Sequence, residues 1–225
     1  MPLQSEPQWS LAAALERLEG QLGPQHWWPA RTRFEMAVGA VLVQHTAWRN
    51  AAAAIANLEQ HDSLLPDAIL LLADEDLEAL IRPSGTFRLK ARRLRALAQW
   101  WQRHARSIDR DKPGDVREAL LGVHGLGPES ADCIALYAFD QPVFVADLSA
   151  RRLLSRLGLV PEATTYSQTR RYAEACLPRD ANYLGEAHAL IVEHGKRSCR
   201  ARPDCMECVL RAGCQACRMT NSVAS

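Results

Sequence analysis

The sequence contains no stretch of about 18 uncharged apolar residues, so no membrane-spanning helix is expected. Its first twenty residues lack a basic segment followed by an apolar run, so no secretory signal is expected either, and a cytoplasmic location is expected. No internal repeat, low-complexity tract or long linker stands out, and 225 residues suffice to bury a real core in one large or two small domains. Strand-like sequence is almost missing: only residues 142–145 qualify, too few to found a sheet. Net charge is also missing, at +1, which by itself argues neither for nor against a polyanionic partner. The last absence is local. Residues 80–108 contain no acid, yet hold Arg82, Arg88, Lys90, Arg92, Arg93, Arg95, Arg103 and Arg106. Such a run reads either as a solvated helix face or, with no acid to pair with, as an anion-binding surface.

What is present is helical. Apolar residues recur at helical spacing over 9–22, and Thr32-x-x-Glu35 forms a capping-box pattern that opens a helix through Val43. Further helices are predicted over 47–58, 66–72, 74–81, 90–105, 148–158, 165–176 and 181–194, each set off by breakers such as Pro83-Ser84-Gly85. The expected class is all-α, in two helical lobes.

Residues 120–152 say most about chemistry. An apolar helix ends in Gly125-Leu126-Gly127, and a second starts at Pro128 and runs to about Phe139. The glycines permit left-handed backbone, and the amides of such a hairpin converge on one spot that attracts an anion. Gly-x-Gly between helices is also simply a turn. A short β-branched piece then delivers Asp147 to the mouth of the next helix, where aspartate is a favoured N-cap. Cap and chemical group are compatible roles, because a cap holds its carboxylate in one rotamer.

Seven cysteines occur, at 133, 176, 199, 205, 208, 214 and 217. Five crowd the C-terminal region, where metal binding is favoured over disulfides. The spacing Cys199-x5-Cys205-x2-Cys208-x5-Cys214 suits a compact iron–sulfur cluster. Including Cys217 makes a second C-x2-C, so zinc stays open. Cys133 and Cys176 lie in apolar helical surroundings and read as core.

Together these features resemble the endonuclease III superfamily of base-excision DNA glycosylases (HhH-GPD), over most of the chain. Leu42-Val43-Gln44-His45-Thr46 resembles the helix end whose glutamine fills the gap in the duplex. Residues 121–127 with Ser130-Ala131 resemble the helix–hairpin–helix. Val145-Ala146-Asp147 resembles the loop with the catalytic aspartate, and His194-Gly195-Lys196 before Cys199 the lead-in to the cluster loop. The resemblance implies a [4Fe–4S] cluster on Cys199, Cys205, Cys208 and Cys214. It also implies duplex DNA with a damaged base or abasic site as partner, contacted by Gln44, His124, Gly125, Gly127 and Lys196. One departure carries weight: bifunctional lyases place an imine-forming lysine where this chain has Glu129, and a carboxylate forms no imine. Glu129-Ser130-Ala131-Asp132 is similar to a branch holding monofunctional 3-methyladenine glycosylases. Trp27, Trp28, Trp48 and His45 resemble that branch's base pocket, where aromatic faces take an electron-poor alkylated purine.

The expectation is a monomeric, monofunctional glycosylase whose Asp147 works with water. A barrel domain over residues 33–144 would carry the hairpin, and residues 1–32 with 145–225 would form a cluster domain. Two alternatives stay open: an endonuclease III-like glycosylase and lyase on oxidised pyrimidines, and a non-catalytic damage-binding module.

Overall fold

The computed structural model describes residues 9–104 and 113–217. In chain order the helices are α1 (Leu11–Leu22), α2 (Arg33–Leu42), α3 (Trp48–Gln60), α4 (Pro66–Leu71), α5 (Asp74–Ile81), α6 (Phe87–His104), α7 (Pro113–Leu121), α8 (Pro128–Phe139), α9 (Leu148–Leu157), α10 (Tyr166–Cys176) and α11 (Ala181–Arg197). Short 3-10 turns lie at Arg82–Ser84 and Arg211–Gly213. No strand occurs among the described residues, and the fold is all-α. The β-branched piece before Asp147 is a buried run without regular secondary structure instead: Phe144, Val145 and Ala146 are fully buried, and the Phe144 amide donates to Glu174 Oε1 at 3.1 Å.

The chain divides into two units, Trp28–Gln141 and a second made of Met1–Trp27 with Pro142–Ser225. The breaks thus fall at 27/28 and 141/142, a few residues before the positions expected from sequence.

In the first unit α2 packs against α3, α6 and α8. Every residue from Phe34 to Leu42 is buried, as expected for a helix apolar all round. Glu35 is the exception in chemistry. Thr32 Oγ1 accepts the Glu35 amide at 3.1 Å, but the Glu35 carboxylate takes the amide of Arg31, not of Thr32, so only half of the capping box forms. Helices α7 and α8 are joined by Asp132, fully buried, and the Arg117 guanidinium at 2.6 Å.

In the second unit α11 packs on α9 and α1. Ser10, Asp147, Thr165 and Asp180 cap α1, α9, α10 and α11 through their side chains, each worth about 0.5–2 kcal/mol. Trp9 lies so close on Gly213 that a Cβ there would stand 1.8 Å from the indole nitrogen, which ties the start of α1 to the cysteine-rich segment.

Candidate functional site

The hairpin between α7 and α8 is built on Gly125, whose φ of 84° lies in the left-handed region. Val123 and Leu126 are buried and pin the turn, and the Leu126 amide donates to Val123 O at 3.1 Å. Gly127 has φ −90° and ψ 178°, which any residue adopts, and a Cβ there meets nothing within 4 Å. Of the two glycines that permit left-handed backbone, only Gly125 adopts it. Pro128 opens α8, no side chain caps it, and Glu129 stands exposed in its first turn. His124 is exposed on the turn.

Gln44 follows the last turn of α2 and lies against this hairpin. Its Nε2 donates to Ser130 Oγ at 2.7 Å and lies 3.5 Å from Gly125 O, while the Arg93 guanidinium donates to its Oε1. His45, next along, is exposed with φ 54°. Trp28 meets Trp48 edge-on at 5.2 Å and Tyr137 at 5.5 Å, and a Cβ on Gly39 would lie 3.3 Å from its indole nitrogen.

Asp147 belongs to the other unit. As N-cap of α9 it accepts the Ala150 amide on Oδ1 at 2.8 Å, and its side chain is 20% exposed. The second oxygen, Oδ2, stands 4.0 Å from His188 Nε2. Burial pushes the His188 imidazole below the ordinary histidine range, against the opposing pull of Asp147. Trp27 lies over His188 with ring centroids 5.6 Å apart, and Lys196 Nζ sits 5.5 Å from the Trp27 centroid while pairing with Glu193 at 3.4 Å. The adjacent tryptophans thus part company. Trp28 joins Trp48 and Tyr137, whereas Trp27 joins His188 and Lys196 beside Asp147. His188 escaped the sequence reading; its signal is a histidine on the apolar stripe of α11 with Leu184, Ala187 and Ile191.

The cysteines follow α11. Arg156 donates to Cys199 Sγ at 3.3 Å and to the carbonyls of Arg200 and Ala201 at 2.7 and 3.0 Å, so one guanidinium folds the start of the loop. Cys214 Sγ lies 3.3 Å from Arg156 O, and Cys208 Sγ lies 3.8 Å from His194 Nε2. Burial pushes the Cys199, Cys208 and Cys217 thiols up, and Cys205 and Cys214 beside Cys217 push it further. Among the described residues no three His, Cys, Asp or Glu side chains form a ready-made metal group. The donor set nevertheless suits a soft metal centre: soft thiols that neighbour one another, half-buried or buried, with a guanidinium at one sulfur. Cys133 is buried as expected, but Cys176 is exposed at the end of α10 and is no core residue.

The sequence profile of the HhH-GPD superfamily base excision DNA repair proteins matches residues 38–179, which hold Gln44, the hairpin and Asp147. A protein of Methanocaldococcus jannaschii, provisionally named a DNA repair glycosylase, is 41% identical over 198 residues, 85% of this chain and 90% of that protein. The chain belongs to the HhH-GPD superfamily. Its function is base excision DNA repair as a glycosylase. Endonuclease III in a non-covalent complex with DNA shares the fold at a TM-score of 0.82, covering 94% of this chain and 97% of that one at 20% identity. A 3-methyladenine DNA glycosylase of H. pylori, bound to 1,N6-ethenoadenine, is 27% identical with a TM-score of 0.67, covering 82% of this chain and 97% of that one.

The basic run of this HhH-GPD protein is not the uniform surface its lack of acids implied. Lys90 is 1% exposed, and its Nζ donates to Leu42 O at 2.8 Å and Ser84 O at 2.6 Å. Arg95 donates to the carbonyls of Ile69, Leu70 and Leu72 and pairs with Asp74 at 2.7 Å. Arg88 lies 3.6 Å from Glu78, and Arg82 lies over Phe87. The acids that pair with the run, Asp74 and Glu78, come from outside it, where a local count of acids does not look. Arg92 and Arg103 are exposed; Arg106 and Lys112 lie outside the described residues.

Proposed function

We propose that this protein is a monofunctional glycosylase that hydrolyses the N-glycosidic bond of a damaged base in duplex DNA, with alkylated purines as the substrate class. The observation that carries the reading is Glu129, exposed in the first turn of α8 where the lyases of the family place their lysine. The other lysines among the described residues, Lys90 and Lys196, offer poor substitutes. Lys90 is sealed between two carbonyls, and Lys196 is paired with Glu193 and drawn over Trp27.

In this reading the hairpin at His124, Gly125 and Gly127, together with Lys196, contacts the DNA backbone, and Gln44 fills the gap left by the extruded nucleotide. Asp147 Oδ1 is committed to its cap, so Oδ2 faces the reaction. Oδ2 takes the proton of a water that attacks C1′, while the C1′–N bond breaks and its electron pair leaves with the base. A cationic alkylated purine departs neutral and needs no separate acid. The face of Trp28 with Trp48, and Trp27 beside His188, offer the aromatic surfaces such a base prefers. Cys199, Cys205, Cys208 and Cys214 would hold a [4Fe–4S] cluster, with Cys217 as a neighbouring thiol. When bound, that group crosslinks the loop.

A panel of lesion-bearing duplexes, scored for base release with and without hot alkali, tests this. Release of alkylated purines with strand breaks only after alkali is expected. Strand breaks without alkali, or a protein–DNA adduct trapped by borohydride, would establish the lyase reading instead. Binding without release on any lesion would establish a damage-binding module.

A further inference from the structure

Arg93 carries more than its place in a basic run. Its aliphatic stem lies directly under the hairpin, since a Cβ on Gly125 would stand 2.3 Å from Arg93 Cγ and 2.7 Å from its Nε. The tip of its guanidinium donates to Gln44 Oε1, and the amide end of Gln44 is turned to Ser130 Oγ. Gln44 is thereby held at both ends, by Arg93 of α6 and by Ser130 of α8. Arg93 Nε is buried and has no hydrogen-bond partner among the described residues. The Lys90 ammonium, itself bonded to Leu42 O and Ser84 O, is close enough to be felt electrostatically, so the Arg93 guanidinium has only a neutral amide oxygen while a second cation lies near. A neutral oxygen satisfies a guanidinium poorly beside a second cation, whereas an anion would use both Nε and the terminal nitrogen as a fork.

We propose that Arg93 is a gated phosphate ligand. In the free protein it latches Gln44 against the hairpin, and when Gln44 leaves to enter the duplex the guanidinium takes a DNA phosphate. This rests on the reading of Gln44 as the residue that fills the gap. Its consequence is that filling the gap and gripping the backbone become one event: undamaged DNA, which gives Gln44 nowhere to go, does not receive the Arg93 contact.

The test is the salt dependence of binding to two duplexes, one undamaged and one holding a non-cleavable tetrahydrofuran abasic analogue. One added phosphate contact steepens the slope by about 0.9, or about a 3-fold larger loss of affinity between about 50 and about 200 mM salt. The wild-type protein is expected to show this extra slope on the abasic duplex. R93M, which keeps the stem under Gly125, should lose it while binding undamaged DNA as wild type does. R93K, which keeps the charge without the fork, should restore part of it. Q44A should open the gate and bring the extra slope to undamaged DNA. Equal slopes on both duplexes for R93M and wild type, or an equal loss on both duplexes in R93M, overturns the proposal. Because neither duplex is cleaved, these outcomes stand apart from any failure of base release. A wild-type protein that does not favour the abasic duplex would instead bring down the reading of Gln44, and the proposal with it.

Discussion

Asp147 holds its helix with one oxygen, and in the proposed mechanism the other serves the chemistry. Asparagine caps as well as aspartate does, so D147N should fold and bind DNA as wild type but lose base release by at least about 100-fold. Single-turnover release beside a binding isotherm checks this, and unchanged release on every accepted substrate would remove Asp147 from the mechanism. The two hairpin glycines should separate cleanly. G125A forces a Cβ into positive φ and into the Arg93 stem, and should cost more than about 1 kcal/mol. G127S has open space and gains a cap acceptor for α8, so its urea midpoint should hold or rise. Asp147 and Gly125 were legible in the sequence because a cap before a helix and a glycine after one are local signals. His188 was not, because nothing near it in the chain names Asp147 as its neighbour.

At the scale of the element, period and breakers located the helices well. The start of α6 shows the limit. Its helix begins at Phe87, before the basic residues that seemed to define it, and those residues turn back to finish other elements. Lys90 supplies donors to Leu42 O at the end of α2 and to Ser84 O in the 3-10 turn, and Arg95 does the same for the end of α4. Helix ends leave carbonyls that need donors, and a sequence does not say which distant side chain will answer. Burial, and then the Arg93 charge, lower the Lys90 ammonium from its ordinary value, so it has the environment of a structural group. K90M keeps much of the volume but strands two carbonyls. It should cost about 1–3 kcal/mol in urea denaturation, without changing the salt slope of DNA binding. A change in slope with no loss of stability would return Lys90 to the DNA-contacting surface.

The whole molecule carries a pH liability through α11. His188 stays neutral in the folded state to lower pH than the 6.5 of an ordinary histidine. Below that value the unfolded chain binds a proton that the folded chain refuses, so stability falls as pH falls, by up to about 1.4 kcal/mol per pH unit until the folded value is reached. Urea midpoints at about pH 7.5 and about pH 5.5 should therefore differ more in wild type than in H188Q. An unchanged difference would place the liability elsewhere. The division into two units was foreshadowed in the sequence only through the resemblance, because nothing local marks the passage from Trp27 to Trp28 or from Gln141 to Pro142 as a boundary. That division also sets an order in time. A ribosome delivers Trp28–Gln141 as one unbroken piece, with α2 to α8 all present once residue 141 has emerged. The other unit is made first and last: α1 must wait for α11, and Trp9 for Gly213. A nascent chain thus owns its hairpin long before α11 arrives to pack on α9, the helix that Asp147 caps.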